Sequence, residues 1–551
     1  MQYEPAEAIL NLLGIETPRE ILLWGCLVLL VIFLVKTLFV CFQYYLQARY
    51  IQNRRLSLTC RMFAAYMKAP YEFHLQRNSA ELFRNTVQEV LEIIVKVLSS
   101  MLTLTMQGMM MLAILTLLFV VQPVIALVGL TVFLCAGGGY LWFVKKKLVS
   151  YSRVAQEQRK TVVKTIQHGL GVIKELRVLH REAFFVRTLE KSMQKLVKAI
   201  RYQAVTNKVT VPYMEFIAVL GLLCISILML MLGSAVESIA PTLTLFAVAF
   251  VRLKTNIGQV VTGINQFRYG LVSIHPVYND LMLLEHTRKN LAPKKAGLEP
   301  HNPARLHLQK ELRLEGVWYR YPESELYSLK DIHLTLPKGD FIGLVGKTGS
   351  GKTTLVDVML GLLIPEQGRI TLDGKDIRDD VQAWQRNIGY IPQTICLTDD
   401  TIRSNVALGV NAHELNEEQL MAAVRDAQLE DFVNSLPKGL DTVIGERGVK
   451  LSGGQRQRIG IARALYHQPE VLIMDEATSA LDSATEKAVV ASFNLLKKDR
   501  TIVMIAHRLT TVQDCNVLYF LRDGRIDSSG TYSTLLKNDS EFQSMAEGRH
   551  L

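Results

Sequence analysis

"FIGLVGKTGSGKTT", residues 341–354, decides how the C-terminal half of this chain folds. An apolar run reads as a buried strand, the glycines that follow make a loop, and "KTT" opens a helix. Glycines let a backbone wrap closely around phosphate oxygens, and a helix N-terminus adds amide donors. Gly346, Lys347, Thr348, Gly349, Ser350 and Gly351 form the cradle, Lys352 reaches the β- and γ-phosphates, and Thr353, followed by Thr354, offers a hydroxyl to Mg²⁺. A glycine-rich loop without a ligand is the bland reading. The complete spacing between a strand and a helix argues against it.

Working outward, "VLIMDEATSALD" supplies acids. Its apolar residues form a buried strand, Asp475 at the end holds the Mg²⁺ shell, and Glu476 polarises an attacking water. Two acids after a strand can also merely start a solvated loop; the phosphate loop upstream favours the catalytic reading. Gln393 in "YIPQ" and His507 in "IAHR" each follow a strand-like run, where ligand-facing loops of open α/β sheets lie, and complete a γ-phosphate sensor. Gln393 is also a candidate metal ligand. Tyr321 in "WYRYP" is placed to stack on adenine or to serve as an ordinary surface or core aromatic.

The 551 residues allow two or more domains, and 49% hydrophobic residues exceed what a soluble enzyme needs. The seven cysteines, Cys26, Cys41, Cys60, Cys135, Cys224, Cys396 and Cys515, are scattered without paired or metal-ligand spacing, so they read as reduced packing residues. The net charge of +11 sits beside apolar runs, which points to membrane topology and not to nucleic acid.

Those runs lie between about residues 21 and 265, and they read as five membrane spans. "ILLWGCLVLLVIFLVKTLFVCFQYYL" is the first. Val97 to Val144 holds two, joined at "VVQPV", and two more run from about Val211 to Met231 and Ile239 to Ile264. The segments from "ARYIQNRRLS" and "KKKLVSYSRV" onward are rich in Lys and Arg and belong in the cytoplasm as long helical loops, which leaves Met1 outside. No removable signal peptide is expected. The expected division is a transmembrane domain over 1–280, a linker over 281–310 with several prolines, and over 311–551 a soluble α/β domain with a largely parallel sheet.

The ordered set "GKTGSGKTT", "IPQ", "LSGGQRQR", "VLIMDEATSALD" and "IAHR" resembles the nucleotide-binding domain of ATP-binding cassette (ABC) transporters over about 240 residues. The resemblance implies that two cassettes sandwich two ATPs. Ser452, Gly453, Gly454 and Gln455 of one copy then serve the nucleotide on the phosphate loop of another, and Asp482 in "SALD" bridges the same interface. With one loop and one signature in the chain, it implies a half-transporter working as a dimer, most simply a homodimer. Gly445 to Gly448 resembles a segment of exporters that contacts their membrane domain. The membrane half is similar, more narrowly, to flippases of lipid-linked oligosaccharides in the bacterial inner membrane. Such exporters have six helices per half with a cytoplasmic N-terminus, against five here. Either the true start lies upstream, or the fold works without a first helix.

Basic side chains inside the spans stand out: Lys36 and Arg252, with Lys254 and Lys96 nearer the ends. A cation near the bilayer centre is costly, so it faces a cavity or a partner, or it snorkels to the interface. A basic translocation cavity for an anionic headgroup is the functional alternative, and Glu215 is placed to pair with one of these cations. The leading expectation is an ATP-driven flippase of amphipathic, lipid-linked substrates embedded in membrane lipid. A multidrug or peptide exporter comes second, and a cassette ATPase acting on nucleic acid or ribosomes is disfavoured by the spans.

Overall fold

The computed structural model describes residues 18–231, 236–291, 305–445, 448–475, 500–506 and 509–547. The chain divides into two compact units: residues up to Ala69 with Arg77–Lys289, and Pro70–Gln76 with Asn290–Leu551.

The first unit is built from long helices: Pro18–Met67, a continuous run Ser79–Val121, Pro123–Gly171, Glu182–Met231 and Val236–Leu291. At 1.5 Å per residue even the shortest is about 65 Å long, roughly twice a hydrocarbon core. The basic stretches, expected as long cytoplasmic helical loops, are helices continuous with the spans. Three of the helices, Leu22–Met67, Ser79–Val121 and Glu182–Ile227, are long and apolar enough among the described residues to cross a membrane. The expected kink at "VVQPV" falls at Gln122 (φ −147°, ψ 84°), and Pro123 opens the next helix, where its missing N–H costs nothing. The last helix ends at Leu291, inside the stretch expected as linker.

Packing in this unit centres on Phe246, Phe250, Met214 and Ile225. A buried polar hub lies elsewhere. The Asp280 carboxylate, 3% exposed, accepts hydrogen bonds from the Tyr66 hydroxyl (2.5 Å) and Asn85 Nδ2 (2.8 Å), and Arg77 lies 3.6 Å away. A charge so buried is tolerated because it is paired and hydrogen-bonded.

The second unit holds two sheets. Strands β1 (Glu311–Tyr319), β2 (Leu329–Pro337), β3 (Phe341–Val345), β4 (Gln367–Leu372) and β5 (Lys375–Asp376) open it, followed by β6 (Ile388–Ile391), β7 (Val471–Asp475), β8 (Thr501–Ile505), β9 (Val517–Arg522) and β10 (Arg525–Gly530). β2-β1-β4-β5 is antiparallel, and the larger sheet has the order β10-β9-β3-β8-β7-β6, parallel from β9 to β6. Every residue of β3, β7 and β8 is buried, the signature of central parallel strands covered on both faces. The short helix Tyr71–Gln76 belongs to this unit, where Glu72 Oε1 accepts a 2.9 Å hydrogen bond from the buried Tyr319 hydroxyl.

Candidate functional site

The phosphate loop lies at the C-terminal end of β3, between β9 and β8 in the sheet. Its glycines are obligatory. Gly346 has φ +153°, and a Cβ there would lie 2.3 Å from the Leu521 carbonyl oxygen; Gly351 has φ +103°, and its Cβ would lie 2.8 Å from that of Ser328. Gly351 caps the helix Lys352–Met359. Lys352 is buried, and its ammonium donates to the carbonyls of Gly346 (2.8 Å) and Lys347 (2.9 Å), which curls it over the loop. The Ser350 hydroxyl is buried without a hydrogen-bond partner, an orphan polar atom facing the cradle's own backbone. Lys347, Thr348, Gly349 and Thr353 are exposed, and Thr354 is buried. An orphan hydroxyl, a curled lysine and two glycines, Gly346 and Gly351, with no room for a Cβ fit a polyphosphate.

Around the loop stand the other expected groups. Asp475 closes β7 and is buried, and Gln393 follows β6 and is exposed. Asp357, one turn past Thr353, escaped sequence reading, although the i,i+4 spacing was there to see. Burial, with the Asp475 charge nearby, pushes its carboxyl up to about 6. Burial and the same two aspartates push the Tyr390 hydroxyl up as well. Two mutually repelling carboxylates, at the end of β7 and on the helix after the loop, supply the hard oxygen donors a divalent cation takes.

Tyr321 hydrogen-bonds through its hydroxyl to Thr354 Oγ1 at 3.0 Å, and its ring meets that of Tyr319 edge-on at 5.2 Å. The adenine candidate thus sits against the end of the phosphate loop. A cavity of about 450 Å³ opens beside it, lined by Tyr319, Tyr321, Glu72, Leu362 and Ile364 among others.

The signature lies apart. Ser452 caps the helix Gly453–Tyr466 through a capping box: its hydroxyl accepts from the Gln455 amide (3.2 Å), and Gln455 Oε1 accepts from the Ser452 amide (2.8 Å). Gly453 and Gly454 occupy the first turn, where amides lack intrahelical acceptors. Among the described residues no hydrogen bond or ion pair joins Ser452–Gln455 to the phosphate loop. Glu476, Asp482 and His507 lie outside the described residues, as do Glu446 and Arg447.

In the membrane unit, Lys36 and Arg252 are exposed, and the Lys36 ammonium lies 5.1 Å from the Phe33 ring centre. Glu215 pairs with Lys254 at 3.1 Å. Lys96 pairs with Glu92 at 2.8 Å, a carboxylate it shares with Arg159 at 2.7 Å. Lys254, Lys96 and Arg159 are thus matched by acids, while Lys36 and Arg252 are exposed.

A helical membrane unit followed by a cassette with this loop defines an ATP-hydrolysing membrane transporter. Residues 8–253 match the family described as the ABC transporter transmembrane region, and residues 329–479 match the ABC transporter family. A protein of Ralstonia nicotianae named ATP-dependent lipid A-core flippase is 32% identical over 493 residues, covering 88% of this chain and 81% of its own length. A Thiobacillus denitrificans protein of the same name is 30% identical over 537 residues, covering 95% and 88%. A solved structure of a bacterial Atm1-family ABC exporter with ATP bound has the same fold, with a TM-score of 0.77, 22% identity and coverage of 99% of this chain and 94% of that one. The chain belongs to the ABC transporter family. It is an exporter, with an ATP-binding cassette that couples hydrolysis to transport.

Proposed function

We propose that this exporter is a flippase for an amphipathic, lipid-linked substrate, acting as a homodimer in the bacterial inner membrane with its cassettes in the cytoplasm. The observation that carries this reading is similarity to proteins named lipid A-core flippase over 88% to 95% of the chain, so that it includes the membrane unit and not the cassette alone. The exposed Lys36 and Arg252 support it, because an anionic headgroup needs cations that carboxylates among the described residues do not already neutralise.

ATP would rest on the loop Gly346–Thr354 with adenine on Tyr321, and Mg²⁺ would be held by Thr353, Asp475 and Gln393, where it offsets charge on the phosphoryl group in transit. Lys352 exchanges its two loop carbonyls for phosphate oxygens. Glu476 orients the attacking water, and His507 and Gln393 read the γ-phosphate. Ser452, Gly453, Gly454 and Asp482 come from the second copy, with Gln455 releasing the Ser452 amide from the capping box.

Reconstitution tests the reading. The purified protein in proteoliposomes is expected to move a labelled lipid-linked oligosaccharide between leaflets in an ATP-dependent way. Stimulation of its ATPase by hydrophobic drugs, with none by the glycolipid, would replace the flippase with a drug exporter. Dimers mixing a Lys352→Ala chain with a Ser452→Arg chain keep one lesion-free composite site and should still trap nucleotide there. Complete loss of trapping would place the signature and the loop in one and the same chain.

A further inference from the structure

The last described helix, Ser540–Ala546, reaches the phosphate loop. It is fixed firmly. Asp539 caps it, accepting from the amides of Glu541 and Phe542 (both 3.0 Å), while the Ser528 hydroxyl donates to the other carboxylate oxygen at 2.9 Å. Phe542 is fully buried, with its ring edge-on to Phe520 of β9 (6.0 Å) and Tyr532 (5.6 Å). β9 is the neighbour of β3, and the turn after it donates from the Gly524 amide to the Ser350 carbonyl at 3.1 Å. Helix and loop therefore share one rigid support.

From this support Glu541 bridges two cations. Its Oε1 lies 2.6 Å from the ammonium of Lys347, the second residue of the phosphate loop, and its Oε2 lies 2.5 Å from Arg522 Nη2. Arg522 is in turn 2.9 Å from Asp527. Among the described residues Lys347 has a single carboxylate partner, Glu541, and that carboxylate is better held than the lysine: the Glu541 side chain is 24% exposed and that of Lys347 60%.

We propose that Glu541 is a positioning residue that commits the Lys347 ammonium to the C-terminal helix and so restrains the affinity of the phosphate loop for a nucleoside triphosphate. A polyphosphate is bound through positive charge and amide donors, and a carboxylate on the loop's own lysine cancels part of that charge within a Debye length. Lys352 is buried in the cradle and Lys347 stands at its rim, so only the rim cation is free to be withdrawn. The inference rests on reading Gly346–Thr354 as the nucleotide cradle.

The test measures equilibrium binding of a fluorescent ATP analogue to the full chain in detergent, at low and high ionic strength. Glu541→Gln keeps the shape and the Asp539 cap. It is expected to tighten binding about threefold to tenfold at low salt, with the gain shrinking in high salt as an exposed charge effect must. In a Lys347→Gln background the same change should move affinity less than about twofold, since the lysine that carries the effect is gone. Damage to the fold would weaken binding, which is the opposite sign. Unchanged or weaker binding in Glu541→Gln overturns the inference, and so does an undiminished gain without Lys347. Failure of the unaltered chain to bind the analogue would overturn the cradle reading and this inference with it.

Discussion

Apolar residues do opposite work in the two units. In the cassette, β3, β7 and β8 bury every residue inside the protein. In the Leu22–Met67 helix, the most apolar 18-residue window buries none of its residues within the chain. The first pattern drives folding by removing surface from water; the second faces outward and is stable where water is absent. Information therefore resides in different residues. In the cassette it lies in glycines and in acids at strand ends, and in the membrane unit it lies in the few charges the helices carry.

The largest effect sharpens the cassette side of that contrast. Lys352→Ala and Glu476→Gln should each lower steady-state phosphate release by orders of magnitude, with Glu476→Gln still binding nucleotide, because it removes a water-orienting carboxylate and preserves shape. Near-normal turnover in Glu476→Gln would reassign the base.

On the membrane side, Asp280→Ala removes a carboxylate acceptor from Tyr66 and Asn85 and one of two acids beside Arg77, which keeps Glu81 at 3.7 Å. Leaving such buried donors without their acceptor costs about 1–3 kcal/mol, so the detergent-solubilised protein should melt below the unaltered chain. A small shift in thermal melting would mean that the hub is wetter than its burial implies.

A subtler change probes the exposed cations Lys36 and Arg252. Lys36→Gln and Arg252→Gln are expected to cut glycolipid-stimulated ATPase severalfold and to leave basal ATPase within about twofold, since the loss of a charge-assisted contact spares the cassette. Transport of a defined glycolipid at the unmodified rate by both variants would make snorkelling the account of these residues.

The smallest effect depends on pH. Asp357 titrates near 6 in the folded chain against an ordinary 3.8, so between those values the folded chain holds a proton that the unfolded chain has released. Stability from this group is full at low pH, falls as pH rises through that window, and the cost is complete above pH 6. Asp357→Asn should therefore raise the melting temperature by a few degrees at pH 8, with the gain fading toward pH 4. A pH-independent gain would assign the effect to packing.

Much of this was legible in the sequence because it is local. The phosphate loop, the strand-end acid Asp475 and the helix-capping signature each occupy a few consecutive residues whose types dictate their backbone. The break at Gln122 and the pairing of Glu215 with a cation, Lys254, were equally open to reading, from a proline and from the cost of burying charge. Contacts made by distant segments were not. Nothing near Lys347 announces Glu541, and nothing in "YEFHLQ" announces that it packs with the cassette. The helical character of the cytoplasmic stretches was legible too, because Lys and Arg, which set topology, are also good helix formers.

The Tyr71–Gln76 helix makes the chain less modular than its two-part sequence implies. A recombinant fragment cut at residue 290 would carry Tyr319 without Glu72, losing a hydrogen bond to a carboxylate worth about 1.5–3 kcal/mol. Swapping such fragments between related chains thus obeys a matching rule. Positions 72 and 319 have to travel together, or the tyrosine has to lose its hydroxyl, as Tyr319→Phe would do, before the C-terminal half becomes an independent part that another protein can inherit.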